Sequence, residues 1–379
     1  MTTVGAKHLV YVITEDWFFA SHFLDRAMAA TQNGYKVSVV TRCREAAAGL
    51  KSSGLEFINF EFSRRGLNPL SESSTVVRLA SLLRSIKPNI VHNVALKPVT
   101  IGTLAARFAG VENIVNAPVG MGYVFTSQDS RAKILRPIAR RLIKFVLHRP
   151  NSRVVIENNE DRNNLIRQRF ATPGQISLIK GAGVDIRKFD PTPETNGPPK
   201  VVMVSRLLRD KGVFEFIEAA KIVHATNPTV QFILAGDVDD GNPTSLTRNE
   251  IQKLSSSGVV EFLGSRTDVA ELLSAGHVVC LPSYREGLPK SLIEAAAAGR
   301  PIVTTDVTGC REVVTDQVNG LLVPPRDGAA LAAALLKLIN DPEMRKVMGA
   351  RNREKAEKEF ANEIIIDQTL KVYESFYAS

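Results

Sequence analysis

The sequence predicts an α/β fold of two parallel-sheet domains in series, on three observations. Short β-rich apolar runs alternate with helical patterns from the first residues onward, and a second series of the same kind begins near residue 200. Between them lies PTPETNGPP at 191–199, where four prolines and a glycine break helix and strand alike. Strand–helix alternation is the pattern of a parallel sheet covered on its faces by helices. The expected organisation is a first domain over 1–190, a solvated linker over 191–199, a second domain over 200–361, and a closing helix over 362–379 that packs back on the first domain.

In the first series HLVYVIT (8–14) reads as a strand, FLDRAMAATQNG (23–34) as a helix and KVSVVTR (36–42) as the next strand. NIVHNV (89–94), ENIVNA (112–117) and SRVVIEN (152–158) continue the sheet. The second series runs KVVMVSR (200–206), VQFILAG (230–236), VVEFLG (259–264), HVVCLPS (277–283) and PIVTT (301–305), with helices such as VFEFIEAAKIVHATNP between them. Helical stretches close the chain: ALAAALLKLIND, PEMRKVMGARNREKAEKEF and NEIIIDQTLKVYESFY.

The composition agrees. With 379 residues and roughly 100–200 per domain, two or three domains are expected. The chain is 44% hydrophobic, and its 25 glycines and 19 prolines follow no repeat, which excludes collagenous and disordered chains. The three cysteines, Cys43, Cys280 and Cys310, form no CxxC and no disulfide framework, so a reducing cytoplasm is expected. MTTVGAKHLVYVIT reads as a first strand rather than a signal peptide. No apolar run reaches the ~20 residues that span a bilayer, so membrane contact is expected to be peripheral.

Open parallel sheets bind ligands outside the carboxyl ends of their strands, and two such sheets face one another across a cleft. The segment LPSYREGLPKSLIEAAAAGRPIVTT (281–305) ends a strand near Pro282 and starts a helix with Pro289 at its first position. That helix closes at Ala298, followed by Gly299 and Pro301. Leu288, at the expected N-cap, offers no side-chain acceptor, which leaves the first N–H groups and the positive dipole end to an anion such as a phosphate. Gly287 permits close approach, and Lys290 and Ser291 stand at the helix start. Glu286 precedes the helix, and Glu294 lies one turn in. A second cationic cluster, SRLLRDKG, brings Arg206, Arg209 and Lys211 to the end of the first strand of the second domain, where Arg206 and Lys211 suit a diphosphate. Taken singly, each acid reads as a solvated surface residue and the basic loop as binding nothing. Their combination points to a phosphate-bearing ligand.

These residues resemble the nucleotide-sugar domain of the family 4 retaining glycosyltransferases. The segments that carry the likeness are SRLLRDKG, LAGDVDD, FLGSRTD and SYREGLPKSLIEAAAAGRPIVTTDVTGCREVV. In the first domain EDWFFASH, VHNVALKP, NAPVGMGYVFTS and GAGVDIRKFDP resemble bacterial members that extend lipid-linked surface polysaccharides. The resemblance implies the GT-B fold, with two Rossmann-like domains facing across a cleft. It also implies a nucleotide sugar, most simply a UDP-sugar, as substrate, with no metal and no cofactor. By the resemblance Arg206 and Lys211 hold the donor diphosphate, Glu286 contacts the donor sugar, and Glu294 hydrogen-bonds the ribose. Gly264 and Ser265 lie near the base, and Gly287, Leu288, Lys290 and Ser291 complete the donor site. Two departures stand out: ITEDWFFASH occupies the place of a Gly-Gly loop, and Asn116, Ala117 and Pro118 stand where many members carry a sugar-contacting histidine.

Asp237–Val238–Asp239 matches the Asp-x-Asp tripeptide of metal-dependent transferases, but its Gly/Asp-rich setting reads as a solvated loop. His22 and His92 follow strands and are candidates for the acceptor, with His92 a weak substitute for the missing histidine. The other histidines read as structural. The loop 117–130, with Gly120, Gly122 and the apolar tips Tyr123, Val124 and Phe125, has the composition of a lid or of an ordinary surface loop, and its glycines are further acceptor candidates.

The net charge of +9 is concentrated. Between Ser130 and Ile156 stand eight basic residues and no acid: Arg131, Lys133, Arg136, Arg140, Arg141, Lys144, Arg149 and Arg153. Ile134, Ile138, Leu142, Phe145 and Val146 recur beside them at helical spacing, which predicts an amphipathic surface of Arg136, Arg140, Arg141, Lys144 and Phe145 for anionic lipid. An ordinary domain helix with a solvated basic face is the competing reading. No nucleic-acid motif accompanies the patch. The function expected is transfer of a glycosyl group from a nucleotide sugar to a lipid-diphosphate-linked glycan at the inner face of the cytoplasmic membrane. The alternatives are an epimerase or a soluble-acceptor transferase on the same fold, and a non-catalytic membrane- or polyanion-binding module.

Overall fold

A computed structural model describes residues 7–62, 69–119 and 140–378. The chain divides into two compact units, one running to Ala182 and taking back the residues from Ile365 onward, the other covering Gly183–Ile364.

The first unit holds seven strands: β1 (Lys7–Glu15), β2 (Tyr35–Arg42), β3 (Glu56–Asn59), β4 (Ile90–Val94), β5 (Asn113–Ala117), β6 (Ser152–Ile156) and β7 (Ile176–Leu178). They form one all-parallel sheet in the order β3-β2-β1-β4-β5-β6-β7. Strands buried on both faces need continuous apolar runs, as in LVYVI of β1, where every side chain is enclosed. A helix over Asp16–His22 follows β1 directly, within the ITEDWFFASH stretch. The closing helix Asn362–Glu374 packs on this sheet. Its buried Tyr373 hydroxyl lies 2.7 Å from that of Tyr11 and 2.8 Å from His92 Nδ1.

The second unit holds β8 (Lys200–Val204), β9 (Gln231–Ala235), β10 (Glu261–Gly264), β11 (Val278–Leu281), β12 (Ile302–Thr305) and β13 (Gly320–Val323). Its parallel order is β10-β9-β8-β11-β12-β13. The chain therefore winds outward from β8 in one direction and from β11 in the other. The carboxyl ends of β8 and β11 flank the switch point, where an open α/β sheet leaves a crevice.

The stretch 191–199 lies inside this second unit and is tied to it by hydrogen bonds. Glu194 accepts from Arg345 Nε at 2.8 Å and Nη2 at 2.7 Å, Thr192 accepts from Arg300, and the Thr195 carbonyl lies 3.0 Å from His277 Nε2. The prolines break regular structure there, while the polar residues between them tie the strip to the domain. Among the described residues no helix is long and apolar enough to cross a membrane.

Candidate functional site

The site assembles on the β8 and β11 ends of the second unit. After β8 the chain makes a single 3-10 turn, Arg209–Lys211, and enters the helix Val213–Thr226 through Gly212. Gly212 has φ +75°, and a Cβ there would lie 2.1 Å from the Pro282 carbonyl oxygen. Only glycine lets the basic loop lie so close against the end of β11. The two loops are also stitched together by hydrogen bonds. The Asp210 carbonyl accepts from the Tyr284 N–H at 2.8 Å and the Ser283 hydroxyl at 3.0 Å, and the Asp210 carboxylate pairs with Arg285 at 3.0 Å. The Tyr284 hydroxyl donates to Glu215 at 2.6 Å, and burial followed by this carboxylate pushes its phenol pKa up.

This stitching brings Lys211 Nζ to 2.5 Å from Glu286 Oε1, with the two side chains only 19% and 9% exposed. The helix Lys290–Ala297 then starts with no side-chain cap. Its N-cap is Pro289 rather than Leu288, one residue later than expected, because Pro289 has ψ 118° and is extended. Leu288 is buried in the hydrophobic core, so its side chain anchors the loop. The helix N-terminus stays uncapped, since a proline also lacks a side-chain acceptor. Lys290 reaches Glu294 at 3.3 Å across one helical turn. Burial raises the Glu294 pKa, and Lys290 only partly opposes that shift.

Gly309 is a site residue that the sequence reading missed. A Cβ there would lie 2.5–2.6 Å from the Gly287 and Glu286 carbonyl oxygens, so glycine lets the helix Thr308–Val313 press against the loop that carries Glu286. Cys310 on the same helix is enclosed, and burial pushes its thiol pKa up to about 12. Gly264 ends β10 with φ +67° and accepts from the Gly236 N–H at 2.8 Å, with Ser265 exposed beyond it.

Arg206 leaves the end of β8 and pairs with Asp239 at 2.6 Å. The Asp239 side chain is 11% exposed, and its own N–H donates to Ser245. Asp237 is exposed, as a solvated Asp-x-Asp loop requires, but the second carboxylate is committed to the arginine of the site. The fixed charges at this crevice include the pairs Lys211–Glu286, Lys290–Glu294 and Arg206–Asp239. Such an array offers cations to a diphosphate and carboxylates to sugar hydroxyls.

In the first unit His92 sits within β4, enclosed and stacked on Tyr11 at 5.0 Å, so it is a core residue and not a strand-end ligand. Burial, then the charge of Arg26, lowers its pKa to about 3. The register explains the error: His92 is the third of five residues in β4, and the strand continues through Val94. His22 ends the helix Asp16–His22, its ring 4.2 Å from that of Phe18. Asn116 is buried too, its Oδ1 accepting from Thr103 at 2.9 Å and Asn93 at 3.0 Å, so it does not stand in for the missing histidine.

Gly120, Gly122, Arg136 and the loop tips at 123–125 lie outside the described residues. Helical residues 140–147 expose Arg140, Arg141, Leu142, Lys144 and Phe145, while Ile143, Val146 and Leu147 join a core cluster with Val99, Val154 and Phe170. Val146 is thus removed from the surface stripe. Phe145 is 52% exposed beneath the Arg107 guanidinium at 4.2 Å, and the neighbouring Phe108 is 61% exposed.

Two family models match the chain: "Glycosyl transferase 4-like" over residues 8–159 and "Glycosyl transferases group 1" over 185–355. A Campylobacter jejuni relative is 29% identical over 89% of this chain and 91% of its own length. It is the N,N'-diacetylbacillosaminyl-diphospho-undecaprenol alpha-1,3-N-acetylgalactosaminyltransferase. An Escherichia coli relative, the UDP-Gal:alpha-D-GlcNAc-diphosphoundecaprenol alpha-1,3-galactosyltransferase, is 28% identical over 73% of each chain. Among solved structures, a sucrose-phosphate synthase from Thermosynechococcus elongatus superposes with TM-score 0.80 at 21% identity, covering 98% of this chain and 99% of that one.

Proposed function

Since the chain belongs to the glycosyltransferases, with a 4-like first domain and a group 1 second domain, we propose that it transfers a glycosyl group from a UDP-sugar to a lipid-diphosphate-linked glycan. The activities of the Campylobacter and Escherichia relatives support the acceptor class, and the second supports the nucleotide. The single observation that carries the reading is the convergence of Arg206, Lys211, Glu286, Glu294 and an uncapped helix start on the β8–β11 switch point.

In the proposed reaction the anomeric carbon–oxygen bond to the donor diphosphate breaks, a bond to the acceptor hydroxyl oxygen forms on the same face, and the hydroxyl proton passes to the departing phosphate. Configuration is retained without a protein nucleophile. Arg206, Lys211 and the N–H groups at the start of Lys290–Ala297 stabilise the charge that grows on the leaving diphosphate, which is how fixed donors lower a barrier. They take the part that a divalent metal plays elsewhere. Glu286 orients the donor sugar through its hydroxyls, and Glu294 holds the ribose. Gly264 and Ser265 flank the base, and Gly287 and Ser291 border the phosphates.

The reading places the chain at the inner face of the cytoplasmic membrane. Arg140, Arg141 and Lys144 meet anionic headgroups there, each contributing about 1 kcal/mol, and the exposed rings of Phe108 and Phe145 dip between lipids.

The test is a screen of nucleotide sugars by thermal shift, then transfer to a short-chain prenyl-diphosphate sugar with EDTA present and anomer analysis of the product. Stabilisation by one UDP-sugar, turnover in chelator and a retained anomer are expected. No binding of any nucleotide sugar by the wild-type chain refutes the transferase reading. Loss of all turnover in EDTA with recovery on adding Mg²⁺ or Mn²⁺ refutes metal independence alone. For the membrane face, the Gln variant of Arg140, Arg141 and Lys144 should leave phosphatidylglycerol-rich vesicles at low salt while keeping its rate on a water-soluble acceptor. Equal sedimentation of variant and wild type refutes that part.

A further inference from the structure

The Asp-x-Asp tripeptide has no role in the reaction proposed above. It lies in the loop that follows β9, and hydrogen bonds lace that loop to the one leaving β8. The Leu207 N–H donates to the Asp237 carbonyl at 2.9 Å, the Leu246 N–H to the Leu207 carbonyl at 2.8 Å, and the Arg209 N–H to the Thr244 carbonyl at 2.8 Å. Leu207, Leu208 and Leu246 are buried, which anchors both loops to the domain. Within the loop the Asp239 carbonyl accepts from the Asn242 N–H at 2.7 Å, and the Asp239 N–H donates to the Ser245 hydroxyl at 2.9 Å. The backbone of Asp239 is thus fixed on both sides. Its side chain is 11% exposed, whereas Arg206, which it meets at 2.6 Å, is 42% exposed. A long side chain that reaches into solvent keeps much rotamer freedom, and a carboxylate enclosed to this degree is costly unless it is paired. The pair is therefore asymmetric: an enclosed, immobile acid holds a cation that projects beside the switch point.

We propose that Asp239 is a positioning residue, which aims the Arg206 guanidinium at the diphosphate of the donor. The proposal rests on the transferase reading, which supplies that diphosphate. The carboxylate has two opposed effects. It cancels part of the arginine's charge, which weakens the pull on a bound diphosphate, and it fixes the guanidinium where negative charge grows on the leaving oxygen. Only the second effect is specific to the transition state, so Asp239 acts on kcat and not on donor affinity. Glu286 anchors Lys211 in the same way but also contacts the donor sugar in the proposed reaction. Asp239 acts through Arg206 alone.

The experiment uses the full chain, with UDP as the binding probe and initial rates of transfer from the UDP-sugar that the thermal-shift screen selects. The variants are Asp239→Ala, Asp239→Asn, Arg206→Ala and the double variant Arg206→Ala with Asp239→Ala. Asp239→Ala should lower kcat about tenfold, the cost of losing one hydrogen bond between charged groups, while binding UDP as tightly as wild type or more tightly. Asp239→Asn keeps an acceptor and should recover part of the rate. Once Arg206 is gone, Asp239→Ala should cost nothing further. Guanidinium ion at sub-denaturing concentration should speed Arg206→Ala, because Asp239 holds it in the arginine's place, and should leave the double variant unchanged. Wild-type kcat in Asp239→Ala, an equal loss with and without Arg206, or equal rescue of single and double variants overturns the proposal. If Asp239→Ala fails to fold, Asp239→Asn replaces it in the double variant and the guanidinium comparison decides. A wild type that binds neither UDP nor any UDP-sugar overturns the transferase reading and the role of Asp239 with it, whereas the other failures leave that reading standing.

Discussion

The Lys211–Glu286 pair separates what holds the site together from what works in it. At 2.5 Å and an effective dielectric of about 20, the gross attraction is about 7 kcal/mol, most of it offset by desolvation of two groups that are 19% and 9% exposed. The net worth of the pair is therefore small, and the cost of breaking it from one side is larger. Lys211→Met leaves an enclosed carboxylate without its cation and should cost about 2–3 kcal/mol, at the lower end for a buried pair because both groups keep some solvent. Glu286→Gln keeps an acceptor for the ammonium and should cost about 1 kcal/mol. In the double variant no charge is stranded, so its loss should be close to that of Glu286→Gln alone. Urea denaturation of the four proteins gives the coupling, and initial rates of glycosyl transfer give the function. Stability should return in the double variant and activity should not, because neither the cation nor the carboxylate has been restored. Additive stability losses, within about 0.5 kcal/mol, would refute the coupling drawn from the geometry.

Glu294 and His92 make opposite pH signatures. Burial raises the Glu294 pKa, so the folded protein holds this proton more tightly than the unfolded chain, and stability falls as pH rises from the ordinary carboxylate range through the raised value. Glu294→Gln should gain stability over wild type as pH climbs through that window while binding nucleotide sugar more weakly, and a pH-independent difference in urea melts would count against it. His92 is lowered from 6.5 to about 3, so its neutral form stabilises the fold fully above 6.5 and the benefit drains away as pH falls toward 3. Relative to a His92→Leu variant, the wild type should lose about 2 kcal/mol between pH 7.5 and 5. A wild-type-minus-variant difference that stays flat over that range would show that the imidazole is not held neutral.

The legibility of the chain follows how each element earns its burial. Central strands such as LVYVI and KVVMV are enclosed on both faces, so their apolar runs stood out in the sequence. Of the four edge strands, β10 was read within VVEFLG, whereas β3, β7 and β13 span three or four residues, and EFIN and ISL carry no run long enough to be seen. The linker reading failed to anticipate Arg345 and Arg300, which lie far along the chain and tie down Glu194 and Thr192. Proline content reports what a segment cannot form, and says nothing about which distant side chains reach it.

The same distinction governs the site. Glu286, Glu294, Lys290 and the uncapped helix start lie within nine consecutive residues, so local spacing was enough to single them out. The partners that fix them are distant: Lys211 lies 75 residues before Glu286, and Asp239 lies 33 after Arg206. Asp-x-Asp looked like a metal motif or a solvated loop because both readings treat the tripeptide alone. In the fold, β8 and β9 are neighbours, so the loops that leave their carboxyl ends lie side by side and the arginine of one meets the carboxylate of the other. His92 fails for a related reason. In a buried parallel strand each side chain faces one of two covered layers, so an interior polar residue must find a partner inside the domain, and here it finds Tyr373 from the last helix of the chain, 281 residues away. A polar residue at a strand end faces the crevice, whereas one two positions earlier belongs to the core, and that short offset lies within the uncertainty with which a sequence alone fixes where a strand stops.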